Sequence, residues 1–349
     1  MARAAFLMDK LMSRCGLSGK SFIPMLSSVA CAVPGIMATR VIENRRDRLT
    51  TILVAPLMSC SARLPVYTLL IAAFLTTGYS WWVPGVSLFA MYMIGLVVAP
   101  VVALLLKRTL LRGETPVFVM EMPVYKWPSL RTVLRRVTDS SGAFLRRAGT
   151  LILASMIIVW FFLYFPATDN RGQSYDRRIA QLRTEMKSAD EEAQAVRQQE
   201  INELYGEWKR QSWLGRTGRA IEPVVKPLGW DWRIGMAAAA SFPAREVVVG
   251  TLGIIYNLGQ ADSEQIQEPL GKKLQEATWD DDPGRKVFTV PVALSLMVFF
   301  ALCCQCASTL VVIRRETNSW RWPAFTFAYM TVLAYVGALL TYQIGSWLG

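Results

Sequence analysis

The stretch LTTILVAPLMSCSARLPVYTLLIAAF, residues 49–74, reads as a membrane span with a discordant middle. Its apolar flanks are together long enough to cross about 30 Å of hydrocarbon. Yet residues 57–65, LMSCSARLP, hold Ser59, Cys60, Ser61, Arg63 and Pro65. Proline removes a helical hydrogen bond, and an arginine at bilayer depth needs a partner or a watery cavity. A span built this way is expected to break near Cys60.

Working outward, further apolar runs cover 85–106, 148–165, 287–313 and 323–344. The 349 residues are 53% hydrophobic and 18% charged, against roughly a quarter charged in a soluble domain. Together these runs predict an all-α polytopic membrane protein, a helical bundle. The first residues, MARAAFLMDKLMSR, are too short in apolar length to be a secretory leader. Five of the six cysteines, Cys31, Cys60, Cys303, Cys304 and Cys306, lie in apolar segments, which argues against an extracellular disulfide scaffold. The net charge of +12 is read by where it falls, as a topology signal, and no nucleic-acid partner is expected. In 107–147 Lys and Arg outnumber acids nine to three, which places that loop in the cytoplasm, with RVIENRRDR (40–48) on the same side.

Simple counting then puts RRET (314–317) outside, unless 234–258 fails to cross. Its sequence, IGMAAAASFPAREVVVGTLGIIYNL, has Pro243, Arg245 and Glu246 near its middle. A re-entrant or broken segment restores the count, since non-helical backbone is tolerated at that depth when buried or lining a cavity. The stretch 21–39, with Pro24, Pro34 and Gly35, suits the same reading. Two interrupted segments in two halves of a chain point to a transporter's midplane site. The charged stretch 168–211 is expected to form one long helix or a helical hairpin outside the membrane, as a solvated spacer or a docking surface.

Histidine is absent, so a transition-metal path would have to use thiolate, carboxylate, amide, thioether or backbone ligands. A membrane cysteine is ordinarily a small packing residue. Cys31 and Cys60 differ because they adjoin breaks, where freed carbonyls and the hydroxyls of Ser59 and Ser61 are at hand. Thiolate favours a soft or late first-row cation over Mg²⁺ or Na⁺. CCQC (303–306) has no iron–sulfur spacing. GLSGKS (16–21) ends like a phosphate-binding loop, but position 14 is Arg14 where a glycine is required, and no strand precedes it. Arg63, Arg245 and Glu246 need partners; structural ion pairing and substrate contact are both open for the latter two. Arg63 is read as a brace for the break, because an arginine repels a cation.

The strings MARAAFLMDKLMSRCGLSGKSFIPMLSSVACAVPGIMATRVIENRRDRLTTILVAPLMSCSARLPVYTLLIAAF, PLGWDWRIGMAAAASFPAREVVVGTLGIIYNLG and CASTLVVIRRETNSWRWPAFTFAYMTVLAYVGALL resemble the membrane core of the FeoB family of bacterial ferrous iron transporters. The resemblance spans nearly the whole chain, apart from 168–211 and 259–286. It implies the following organisation: a lead-in (1–20), a first Gate segment with membrane spans (21–106), the basic cytoplasmic loop (107–147) and a span (148–166). A charged helical insert (167–230), a broken segment (231–258), an acidic variable loop (259–286), and a second Gate segment with the last span (287–349) follow. By resemblance Cys31 and Cys60 in the first Gate segment and Cys306 in the second are the candidate Fe²⁺ ligands. Met58, Ser59, Ser61, Gln305 and Glu246 are auxiliary path or gate candidates, and Arg63 and Arg245 are structural charges.

The family couples Fe²⁺ import across the cytoplasmic membrane to a G domain, of which this sequence has no counterpart. No catalytic residue and no cofactor are therefore expected in the chain itself. GTP and Mg²⁺ belong to a missing domain or to a separate GTPase-containing FeoB polypeptide, whether the gene is split, truncated or a remnant. A small FeoA-like accessory protein and a homo-oligomer are the other partners implied. Rival readings are a nucleoside-type carrier, a carrier of Mn²⁺ or Zn²⁺, and a non-transporting scaffold for a GTPase.

Overall fold

The structure is a computed structural model that describes residues 9, 12, 16–76, 80–112, 127, 129–168, 173–186, 191–243, 245, 247–255, 263–279, 284–304 and 306–348. Among them every regular element is helical; the isolated bridges Thr168–Ser174 and Thr278–Lys286 do not extend into strands. In chain order the helices are α1 (Phe22–Ala30), α2 (Ala32–Ala38), α3 (Arg45–Val54), α4 (Leu64–Phe74), α5 (Val83–Thr109), α6 (Leu130–Tyr164) and α7 (Tyr175–Met186). They continue as α8 (Glu191–Gln211), α9 (Trp213–Val225), α10 (Trp232–Ala240), α11 (Val247–Ile255), α12 (Ser263–Glu276), α13 (Val290–Leu302), α14 (Ala307–Thr317) and α15 (Arg321–Leu348).

Among the described residues four helical stretches are long and apolar enough to cross a membrane: Arg45–Phe74, Val83–Thr109, Val290–Thr317 and Arg321–Trp347. Ile152–Tyr164 is apolar but shorter. The protein is a multi-pass, all-α membrane protein. Two of the four stretches are interrupted: the first between α3 and α4, the third between α13 and α14.

The chain divides into two compact units. The first comprises Met1–Leu64, Gly85–Leu153 and Met297–Ala338. Within it α1 and α2 pack on each other as a hairpin. Gly35 makes the close approach possible, since a Cβ there would lie 1.9 Å from Ser28 Oγ and 2.9 Å from the Pro24 carbonyl oxygen. The prolines of this stretch start helices instead of ending them. Pro24 and Pro34 each stand third in their helix, where a backbone N–H has no intrahelical partner to lose. The break falls between them, at Cys31.

Asn44 caps α3 by accepting from the N–H groups of Arg46 and Asp47. The apolar face of α3 and the turn after it meet α5 and α15 in a core that includes Leu53, Leu57, Ala99, Ala103 and Met330. Tyr329 on α15 donates to the Leu53 carbonyl. One end of this unit is strongly basic. Arg40 and Arg48 pair with Glu316, Lys107 pairs with Asp47, and Arg46 donates to the Arg112 carbonyl at 2.7 Å. RVIENRRDR and RRET thus lie at the same end of this unit.

Residues 130–147 belong to the 35-residue helix α6, so the second half of the basic loop is helical. Leu130, Val133, Leu134 and Val137 repeat at spacings of three and four, the helical period.

The second unit comprises Pro65–Pro84, Ala154–Leu296 and Leu339–Gly349. The charged stretch is a hairpin of α7 and α8 around Tyr175, Ile179, Ile201, Leu204 and Trp208. Trp208 donates its indole N–H to the carbonyls of Tyr164 and Pro166, at 3.0 and 3.1 Å, which ties the hairpin to the end of α6. Burial beside it lowers the Lys209 ammonium pKa to about 8. The segment 231–258 is broken between α10 and α11, with Arg245 buried at the interruption.

Candidate functional site: three cysteines at helix breaks

Cys31, Cys60 and Cys306 occupy equivalent local positions. Each is the extended residue immediately before a helical segment: Cys31 (φ −157°, ψ 134°) before α2, Cys60 (φ −101°, ψ 161°) before the short 3₁₀ turn Ser61–Arg63, and Cys306 (φ −155°, ψ 103°) before α14. Their carbonyls accept the first hydrogen bonds of those segments, from Gly35, Arg63 and Thr309 at 3.4, 3.1 and 3.1 Å. Such helix-starting positions favour Ser, Thr, Asp or Asn, whose oxygens accept first-turn N–H groups. Here the chain uses sulfur, and none of the three thiols makes a capping bond. All three are half-buried, whereas Cys303 and Cys304, at the end of α13, are buried at 1% exposure. Cys304 packs in the apolar core. The break separates Cys306 from Cys303, so the pair does not share one helix.

Their relative placement follows from helix geometry. Arg40 pairs with Glu316, which levels the basic ends of the segments following Cys31 and Cys306. At about 1.5 Å per residue, Cys31 stands roughly 14 Å from Arg40, and Cys306 about 15 Å from Glu316. The helices between, α2 and α14, pack against each other. Cys60 joins the same level, because Ser61 Oγ donates to the Ala30 carbonyl at 3.4 Å. The breaks at Cys31 and Cys60 thus adjoin each other, and Cys31 and Cys306 lie at similar distances along neighbouring helices from the Arg40–Glu316 pair.

Arg63 holds the Cys60 break open. Its guanidinium is buried and donates to the carbonyls of Pro56 (3.3 Å) and Leu57 (3.4 Å) and to Ser59 Oγ (3.1 Å). These acceptors lie in and just after the turn Ala55–Leu57, where helical partners are missing. Helix α5 closes over the break through Gly95, where a Cβ would come within 2.9 Å of the Leu57 oxygen and of Ser59 Oγ.

The auxiliary candidates divide. Ser59 is buried and already accepts from Arg63; Met58 is packed in the core with Leu57 and Met330. Ser61 is exposed and bridges to Ala30. Glu246 and Gln305 lie outside the described residues. One hydroxyl was not anticipated: Ser308, in the first turn after Cys306, is 6% exposed, and its Oγ has no hydrogen-bond partner among the described residues. In sequence it is one small residue of an apolar helix, and nothing marks it. Among the described residues no group of three or more Cys, Asp or Glu side chains is close enough to hold a metal ion.

The class defined by this geometry is a polytopic all-α membrane protein with broken helices. The comparisons give the family. Residues 1–74 and 145–320 match the Gate family, described as nucleoside recognition, and residues 88–139 match the family described as ferrous iron transport protein B C terminus. The chain belongs to the Gate-containing membrane part of the FeoB family. It is 40% identical over 99% of its length to an Fe(2+) transport protein A/Fe(2+) transporter FeoB fusion protein of Porphyromonas gingivalis, covering 40% of that protein. With the Fe(2+) transporter FeoB of Leptospira interrogans it shares 40% identity over 99% of the chain and 46% of the relative. For the Fe(2+) transporter FeoB of Helicobacter pylori the values are 34%, 98% and 51%. The chain thus spans about half the length of the curated relatives it matches. No solved structure matches it significantly.

Proposed function

We propose that this chain is the membrane permease of a ferrous iron import system of the bacterial cytoplasmic membrane, and that Fe²⁺ crosses half depth past Cys31, Cys60 and Cys306. The observation that carries the reading is the recurrence of cysteine at three helix starts. Fe²⁺ is intermediate in softness, so it accepts sulfur together with carbonyl and hydroxyl oxygen. Mixed ligation holds it firmly enough to shed water yet loosely enough to leave. Passage from one thiol to the next, with freed carbonyls beside each, supplies such ligation. GTP hydrolysis is assigned to a GTPase-containing portion or partner, and an FeoA-like protein is a second partner, in keeping with the fused name of the Porphyromonas relative.

The test is uptake of radiolabelled, reduced Fe²⁺ in cells lacking their own ferrous transporters, with this chain alone and with a FeoB GTPase polypeptide. Cys60→Ser is expected to lower initial uptake about tenfold, equivalent to ~1.4 kcal/mol of barrier, at unchanged membrane abundance. Full uptake by Cys60→Ser removes Cys60 from the path. A nucleoside carrier, the reading suggested by the Gate description, predicts labelled-nucleoside uptake indifferent to Cys60.

A further inference from the structure

We propose that Glu316 is a positioning residue: its buried carboxylate forms an ionic clasp at the basic end that sets the relative placement of the three cysteine-bearing segments. The inference rests on the path proposed above. Glu316 sits in the last turn of α14, whose first residue follows Cys306. Its side chain is 4% exposed. Arg40 forks onto it, Nε at 3.0 and 3.1 Å from the two carboxylate oxygens and Nη2 at 2.6 Å from Oε1. Arg48 Nη2 takes Oε2 at 2.6 Å. Arg40 follows α2, the helix that starts at Cys31; Arg48 lies on α3, which leads to Cys60. One carboxylate therefore joins the three segments at the ends opposite their cysteines.

The placement is not what a lone helix would choose. A carboxylate in the last turn faces the negative end of the helix dipole, and here two guanidinium groups offset it. Charge-assisted, forked bonds of this kind fix orientation as well as distance. The intervening helices are rigid over about 15 Å, so a shift at the clasp is carried to the cysteine level. A cavity of about 330 Å³ lined by Glu43, Arg45, Arg48 and Glu316 adjoins the clasp and leaves it reachable from the basic end.

The test uses the full chain in membranes and reads cysteine placement directly. Bifunctional thiol reagents of graded length are applied, and the Cys31–Cys306 cross-link is quantified by mass spectrometry of the digested protein. In wild type the pair is expected to link with a short reagent. Glu316→Gln is expected to lower that yield about tenfold, in line with loss of charged hydrogen bonds, while Glu316→Asp restores most of it. The Fe²⁺ to Mn²⁺ uptake ratio should change in the same order, which a general loss of stability would not produce. Should Glu316→Gln fail to accumulate, Arg40→Lys keeps the charge, removes the fork and is read in the same way. Unchanged cross-linking in the variant, or none in wild type, overturns the clasp. The cross-linking needs no transport, so normal uptake by Cys60→Ser sinks the path while leaving this result standing.

Discussion

Arg63→Met is expected to destabilise the protein in the membrane by about 2–4 kcal/mol. The guanidinium supplies donors to two carbonyls and one hydroxyl at the Cys60 break. Removing it strands the oxygens of Pro56 and Leu57 where no water replaces the bonds, at about 1–3 kcal/mol for each buried unsatisfied group. Relief from burying a cation offsets part of this. Arg63→Lys retains the charge but not the fork and should fall between the two. Unfolding in detergent, together with protease resistance of membrane-embedded protein, measures the order. Equal stability of Arg63→Met and wild type would mean that the break does not depend on the brace.

The second large effect lies where α3 meets α5. Lys107 Nζ stands 2.7 Å from Asp47 Oδ1, with side-chain exposures of 10% and 2%. Asp47 is in the first turn of α3, which suits a carboxylate, but its Oδ2 has no hydrogen-bond partner among the described residues. Lys107→Met leaves that carboxylate buried without a counter-ion, expected to be worth about 3–5 kcal/mol. Replacing both partners, as Asp47→Asn with Lys107→Met, removes the uncompensated charge and should recover most of the loss. A double-mutant cycle on unfolding free energy gives the coupling. Additive single effects would show the ion pair to be energetically idle.

The membrane class and the family were legible because both are written in long runs: apolar stretches of span length, and ordered strings such as SFIPMLSSVACAVPG. The break near Cys60 was legible too, since Arg63 and Pro65 are local signals. Finer placement was harder. Pro24 and Pro34 mark interruption in sequence, yet a proline's effect depends on whether it falls in a first turn, and that is fixed by where each helix starts. The extension of α6 through 130–147 was hidden by charge density, which dominated the reading of that loop. Cys303 and Cys306 are three residues apart in one apolar run, and only the break shows that one lies in the core and the other at a helix start. Glu316 was invisible for a different reason. Arg40 and Arg48 are more than 260 residues away along the chain, and no local pattern reports such a distance.

The α1–α2 hairpin bears on biosynthesis. Its legs have nine and seven residues, against roughly 20 for a helix that crosses alone. Helices that short gain little stability in isolation. Neither leg can enter the bilayer as an independent insertion unit, although both precede every spanning helix described here. The hairpin must wait until α3, α5 and α14 have formed the walls it packs between. Cys31 thus takes its place only after residues made some 280 positions later are in place, and the hairpin is the last part of the unit to mature.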